Sequence, residues 1–206
     1  MLIQNQVGPV ATTTSISAGL QAPARAGQLG DLIMSELHGR YYEQAYRRNL
    51  FYSFSLAQTL SASGTALTGN IIWNGSTTVN LVLTKIFLQV SVTSATLTGI
   101  ALGHNAQAAA PTTTTVATAS GNNFLGGATP LASAYNVGTV TTAPIGITTL
   151  LHNTAAINTV GVDSVVIDLE GSIIVPPNRY VSLYALGAAS AAAAVTSAIF
   201  WEEVPV

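Results

Sequence analysis

A few groups of residues have the types and spacings that chemistry can use. Asp163, Asp168 and Glu170 place three carboxyl groups in one short stretch. Asp168 and Glu170 are two apart, so on a strand they share a face. Paired carboxylates can act as acid and base in glycoside hydrolysis, or can bind Ca²⁺. Either use needs further ligands or a cleft lined with acids and aromatics, and a chain with eight Asp and Glu in all offers few. The pattern therefore reads as a solvated sheet face. His38, His104 and His152 are far apart and form neither H-x-H nor H-E-x-x-H, so they read as structural or solvent-exposed rather than zinc ligands. Lys85, the only lysine, lies inside LVLTKIFLQV, where alternation puts it on the face of Leu83 and Phe87. A lysine there can form a buried ion pair or an isopeptide crosslink; guarding a sheet edge or snorkelling outward is commoner. No G-x-S-x-G elbow is present. GNNFLGG at 121–127 lacks the Lys-Ser/Thr of a P-loop and the flanking pattern of a dinucleotide site. Asn74-Gly75-Ser76 matches a glycosylation sequon, a tripeptide common by chance. No catalytic, cofactor-binding or metal residue is assigned, and the expectation is a protein that is not an enzyme.

The elements that would position these residues are strands. Phe51–Leu56 and Thr65–Trp73 are bounded by Ser63-Gly64 and by Asn74-Gly75, a strong turn signal. Val79–Thr93 is apolar on both faces, as in a strand buried in a sandwich or under another chain. Ala95–Gly103 is expected to pair with it. Pro111–Ser120 is β-prone but polar, and Gly121–Pro144 reads as a long surface loop. Further strands are expected at Ile145–His152, Asp163–Pro176, Tyr180–Leu186 and Val195–Val204. About eight short strands separated by turn signals predict an all-β fold, a two-sheet β-sandwich of jelly-roll type spanning 51–206.

Composition bounds the function. Charged residues are 7% of the 206, against roughly 25% in ordinary soluble domains, while hydrophobic residues are 49%. Such a surface is built from Thr, Ser, Asn, Gln and Gly, or is covered by partner chains. A net charge of −2 without an extended basic patch argues against nucleic-acid binding. The absence of cysteine excludes disulfides and thiolate chemistry and fits synthesis in a reducing cytoplasm. The start, MLIQNQVGPV, has no signal-peptide pattern, and no apolar run reaches the length of a membrane helix; the closest, Ala188–Ala194, is short and alanine-rich.

Residues 1–28 are turn-rich and are expected to form an extended N-terminal arm. Residues 29–50, LGDLIMSELHGRYYEQAYRRNL, are of another character. Six of the chain's few charges lie here, Asp31, Glu36, Arg40, Glu43, Arg47 and Arg48, along with Tyr41, Tyr42 and Tyr46. Leu29, Ile33 and Leu37 recur on one face of a short helix, which Gly39 is placed to end. Tyr and Arg are enriched at interface centres, so Arg40, Tyr41, Tyr42, Tyr46, Arg47 and Arg48 are the candidate interface residues. The same tyrosines could equally pack the segment onto its own sandwich.

LHGRYYEQAYRRNLF, the Thr/Ala-rich β body, the late IxVPPNRYVSLYAL pair and the terminal FWEEVPV together resemble the small virion proteins of tailed bacteriophages. That resemblance implies a capsid decoration or cement protein that binds the major capsid protein and stabilises the head as a homotrimer on the virion surface. It carries no site residues with it. The alternative is a tail adaptor or head spike that binds host-surface glycans. A polysaccharide hydrolase using Asp163, Asp168 or Glu170 is the third reading.

Overall fold

The structure, a computed structural model, describes residues 50–90, 97–117, 119–123, 127–152, 164–187 and 194–206. The expected arm at 1–28, the short helix, Asp163 and all of the docking segment except Leu50 lie outside them. The described chain forms eleven strands: β1 (Leu50–Gln58), β2 (Ala66–Asn74), β3 (Val79–Val90), β4 (Leu97–Ala106), β5 (Thr112–Val116), β6 (Ala119–Asn122), β7 (Ser133–Thr139), β8 (Ile145–His152), β9 (Ser164–Val175), β10 (Arg179–Gly187) and β11 (Val195–Pro205).

Two antiparallel sheets pack as a β-sandwich, one in the order β6-β1-β11-β3-β9 and the other β5-β7-β2-β10-β4-β8. Without β5, β6 and β7, the orders β1-β11-β3-β9 and β2-β10-β4-β8 are those of a jelly roll, in which the chain changes sheet at every connection except that from β4 to β8. The three additional strands widen both sheets on the β1/β2 side. β5 falls in the stretch 111–120 read as β-prone, while the end of β6 and all of β7 fall in Gly121–Pro144, which is therefore not the plain surface loop expected from its Gly, Asn, Ala and Thr content.

The topology corrects a second expectation. β4 is not the partner of β3; it lies in the opposite sheet, and β3 pairs with β11 and β9. The Asn74-Gly75 turn likewise carries the chain between sheets instead of closing a hairpin. Gly75 answers to a local collision, since a Cβ there would run into the Trp73 ring.

Strand alternation fills the space between the sheets. Phe51 of β1, Leu81, Leu83, Ile86 and Leu88 of β3, Ile199 and Trp201 of β11, and Ile72, Leu102, Val181 and Leu183 from the other sheet are all buried in one cluster. Phe51 and Trp201 lie with ring centroids 6.0 Å apart. A polar seam crosses the same layer. Ser53 Oγ donates to Asn70 Oδ1 at 2.7 Å, Asn70 Nδ2 returns a bond to the Ser53 carbonyl at 3.2 Å, and Ser55 Oγ donates to Asn136 Oδ1. Satisfied pairs of this kind keep buried polar groups from costing stability and tie one sheet to the other.

The outer face of the six-stranded sheet is covered by the chain's own connections. Leu67, Ile71, Val140 and Tyr180 form a second buried cluster, with Trp73 and Tyr135 against it. Trp73 Nε1 donates to the Gln107 carbonyl at 2.8 Å, Tyr180 Oη donates to the Thr142 carbonyl at 2.7 Å, and Asn105 Nδ2 donates to the Ala143 carbonyl at 2.8 Å. Burial raises the Tyr180 phenol well above its ordinary pKa.

Candidate interaction surface

Among the described residues, those singled out for chemistry do not converge. Asp168 and Glu170 stand exposed on β9, where Asp168 Oδ1 accepts the Glu170 backbone N–H at 3.2 Å and Glu170 takes φ 49°. Asp168 faces Lys85 directly across the β3–β9 ladder, with Nζ and Oδ2 3.9 Å apart. The side chains are 32% and 48% exposed, so this is a solvated surface pair and not a buried one. His104 lies opposite Ile145 and His152 opposite Gly99, near opposite ends of the β4–β8 ladder. Among the described residues no three His, Cys, Asp or Glu gather as metal ligands. The Asn74 amide of the sequon is buried, with Nδ2 donating to the carbonyls of Val79 at 2.9 Å and Val175 at 3.0 Å. Sugar transfer to that nitrogen would require this end of the sandwich to open.

Lys85 also departs from the face expected for it. β3 is irregular at Thr84–Lys85, where its ladders with β11 and β9 both shift register. Leu81 and Leu83 point inward before this point, and Ile86 and Leu88 after it. Lys85 thus shares the outer face with Phe87 while Leu83 lies in the core. β3 is an interior strand, so Lys85 is not an edge guard.

What the structure does assemble is the outer face of the five-stranded sheet. Its side chains fall into rows across neighbouring strands. One row runs Tyr52, Phe200, Lys85, Asp168; the next runs Phe54, Ala198, Phe87, Val166; a third runs Leu50, Glu202, Val82, Ile174. Aromatic and aliphatic groups dominate, and the few charges lie among them. Such a face offers large contact area with a small number of orienting charges, the composition of a docking surface. The sequence signal for it was present as strand alternation in LFYSF and AIFWE, but only the register aligns Tyr52 with Phe200 and Phe54 with Phe87.

Two glutamates were missed as individual residues. Adjacent on β11, Glu202 and Glu203 point to opposite faces and are both buried. Glu203 Oε1 accepts the backbone N–H groups of Leu131 at 2.8 Å and Ala132 at 3.0 Å. Glu202 lies on the outer face beside Leu50. The signal that could have found them is a pair of acids inside an apolar strand, since a buried carboxylate needs dedicated donors. The six candidate interface residues, Arg40, Tyr41, Tyr42, Tyr46, Arg47 and Arg48, lie outside the described residues.

Among the described residues no helix is long and apolar enough to cross a membrane. No protein-family model matches the chain, and no curated protein or solved structure matches it either.

Proposed function

We propose that the chain is a structural subunit of a bacteriophage head, a decoration or cement protein that binds the major capsid shell as a homotrimer and acts by association alone. The observation that carries this reading is the state of the sheet edges. β5 and β8, the two edges of the six-stranded sheet, contain no charged residue. Val116 on β5 is 67% exposed and Ile145 on β8 is 61% exposed. Both edge ladders are irregular in register, but neither edge carries the charge with which a free monomer ordinarily discourages another chain from pairing there. Uncharged edges that expose Val116 and Ile145 suit a subunit that works inside a permanent assembly, where neighbours meet them. The low overall charge and the resemblance of LHGRYYE and WEEVP to phage virion proteins point the same way.

The test is the mass of the purified protein by light scattering, followed by co-sedimentation with empty capsids. A stable trimer that sediments with capsids supports the reading. A monomer that ignores capsids overturns it and directs attention to a tail partner or a glycan ligand.

A further inference from the structure

At one end of the sandwich a single side chain joins two crossings between the sheets. The chain passes from β2 to β3 and from β9 to β10 here, and both connections change sheet. Asn74, the last residue of β2, is fully buried at this point. Its Nδ2 donates to the carbonyl of Val79, at the start of β3, and to that of Val175, at the end of β9. Its Oδ1 accepts the Ser76 N–H, and its backbone carbonyl accepts the Asn178 N–H at 2.8 Å. The next residue is held to glycine by sterics. A Cβ on Gly75 would meet the Trp73 ring, and that ring is itself fixed by the bond from its Nε1 to the Gln107 carbonyl.

That steric demand creates a chemical liability. When glycine follows asparagine, no Cβ hinders the backbone nitrogen from attacking the side-chain amide. Asn74-Gly75 is the only Asn-Gly pair in the chain. We propose that it is a latent self-modification site, silent while this end of the sandwich is closed, whose deamidation by water makes an opening permanent. In the opened chain the Gly75 nitrogen gives up its proton to solvent and attacks Asn74 Cγ. A C–N bond forms to close a cyclic imide, and Nδ2 takes up a proton and leaves as ammonia. Water then opens the ring at either carbonyl. One product is aspartate; the other is isoaspartate, in which the main chain runs through Cγ. The closed fold blocks the first step, because Val79 and Val175 hold the leaving nitrogen, Ser76 holds the oxygen, and burial excludes the water that carries the protons. It also rejects the product. Two carbonyl oxygens would lose their donor and face a carboxylate or a lengthened main chain in a buried site. Reclosure is therefore lost once the reaction has occurred. This inference stands whether or not the protein is a capsid component.

The test incubates the full wild-type chain at mildly alkaline pH, folded in buffer and unfolded in guanidinium chloride, and scores conversion at Asn74 by peptide mass spectrometry. Conversion is at least about a hundredfold faster in the unfolded sample, since in the folded one it follows the population of the opened end. Equal rates would overturn the proposal. Gly75→Ala is compared with wild type in denaturant alone, where its ability to fold plays no part. It should slow conversion, and an unchanged rate would overturn the backbone attack. A half-converted sample is then diluted out of denaturant, and refolded chains are separated from unfolded ones by size exclusion. The refolded fraction should carry intact Asn74 and the unfolded fraction the modified residue. Equal amounts of modified chain in both would overturn the one-way character of the site.

Discussion

Glu203 on β11 holds the backbone of Leu131 from 72 residues away, its two carboxylate oxygens 2.8 and 3.1 Å from the Leu131 nitrogen. Ala132 donates to the same carboxylate at 3.0 Å, and Trp201 Nε1 lies 3.5 Å from it. The last strand of the jelly roll thereby anchors the connection into β7, one of the strands inserted into the fold. Glu203→Ala leaves two backbone N–H groups without their acceptor and is expected to cost about 2–4 kcal/mol. Glu203→Gln keeps one carbonyl acceptor and should cost less. Urea unfolding monitored by tryptophan fluorescence measures both; a Glu203→Ala midpoint equal to wild type would show that the contact adds nothing to stability.

Asn74 performs a similar task at the end of β2. Its Nδ2 donates to Val79 and Val175, and its Oδ1 accepts the Ser76 N–H at 3.2 Å. Asn74→Asp would turn a carboxylate oxygen toward two carbonyl oxygens in a buried site. That substitution should destabilise more than Asn74→Ala, by about 1–3 kcal/mol beyond it. Thermal unfolding of the two variants side by side decides the order. The reverse order would count against the two Nδ2 hydrogen bonds as the source of the effect.

Tyr180 links stability to alkaline pH. Its phenol is raised by burial, so the folded state holds the proton after the unfolded chain has begun to release it near pH 10. The stabilisation that follows from this shift is complete below the unfolded pKa and is lost progressively as pH rises above it. Tyr180→Phe removes the bond to the Thr142 carbonyl and should cost about 1 kcal/mol at neutral pH. The variant should also lose less stability than wild type between pH 9 and pH 11, a window set by the unfolded tyrosine pKa of about 10. Parallel alkaline profiles for the two proteins would remove Tyr180 as the responsible group.

The strands were legible because alternation is local. Phe51, Leu81 and Leu83 announce a buried face within a few residues of sequence, and most strand positions follow from such runs. Sheet order was not legible, because β3 chooses β11 and β9 as partners over β4, its successor in the chain, and no local pattern encodes that choice. The face of Lys85 was hidden for a related reason: β3 is apolar on both sides, so the irregularity at Thr84–Lys85 leaves no mark in the hydrophobic pattern. WEEVP stood out as a motif, yet the role of Glu203 depends on Leu131 and Ala132, which only the fold brings near. The outer face was readable residue by residue in Tyr52, Phe54, Phe87 and Phe200, but became a surface only through cross-strand register. The Tyr/Arg segment reads as an interaction element by composition, and it lies outside the described residues.

The Lys85–Asp168 pair gives a prediction in which two chemistries separate cleanly. An isopeptide bond requires the neutral amine to attack the carboxyl carbon and expel one water, a step favoured where burial strips the charges. Here both side chains are substantially solvated and Nζ stands 3.9 Å from Oδ2, a geometry that favours the ion pair over condensation. The intact protein should therefore have the full mass of its sequence, with no loss of a water. Lys85→Met should change stability by less than about 1 kcal/mol after solvent screening is taken into account, and the difference should shrink as salt is added. A mass lower by one water, together with a large loss of heat resistance in Lys85→Met, would instead identify a covalent tie between β3 and β9. On the ion-pair reading the pair is the charged end of the Tyr52–Phe200–Lys85–Asp168 row, and the core beneath holds the sheets together.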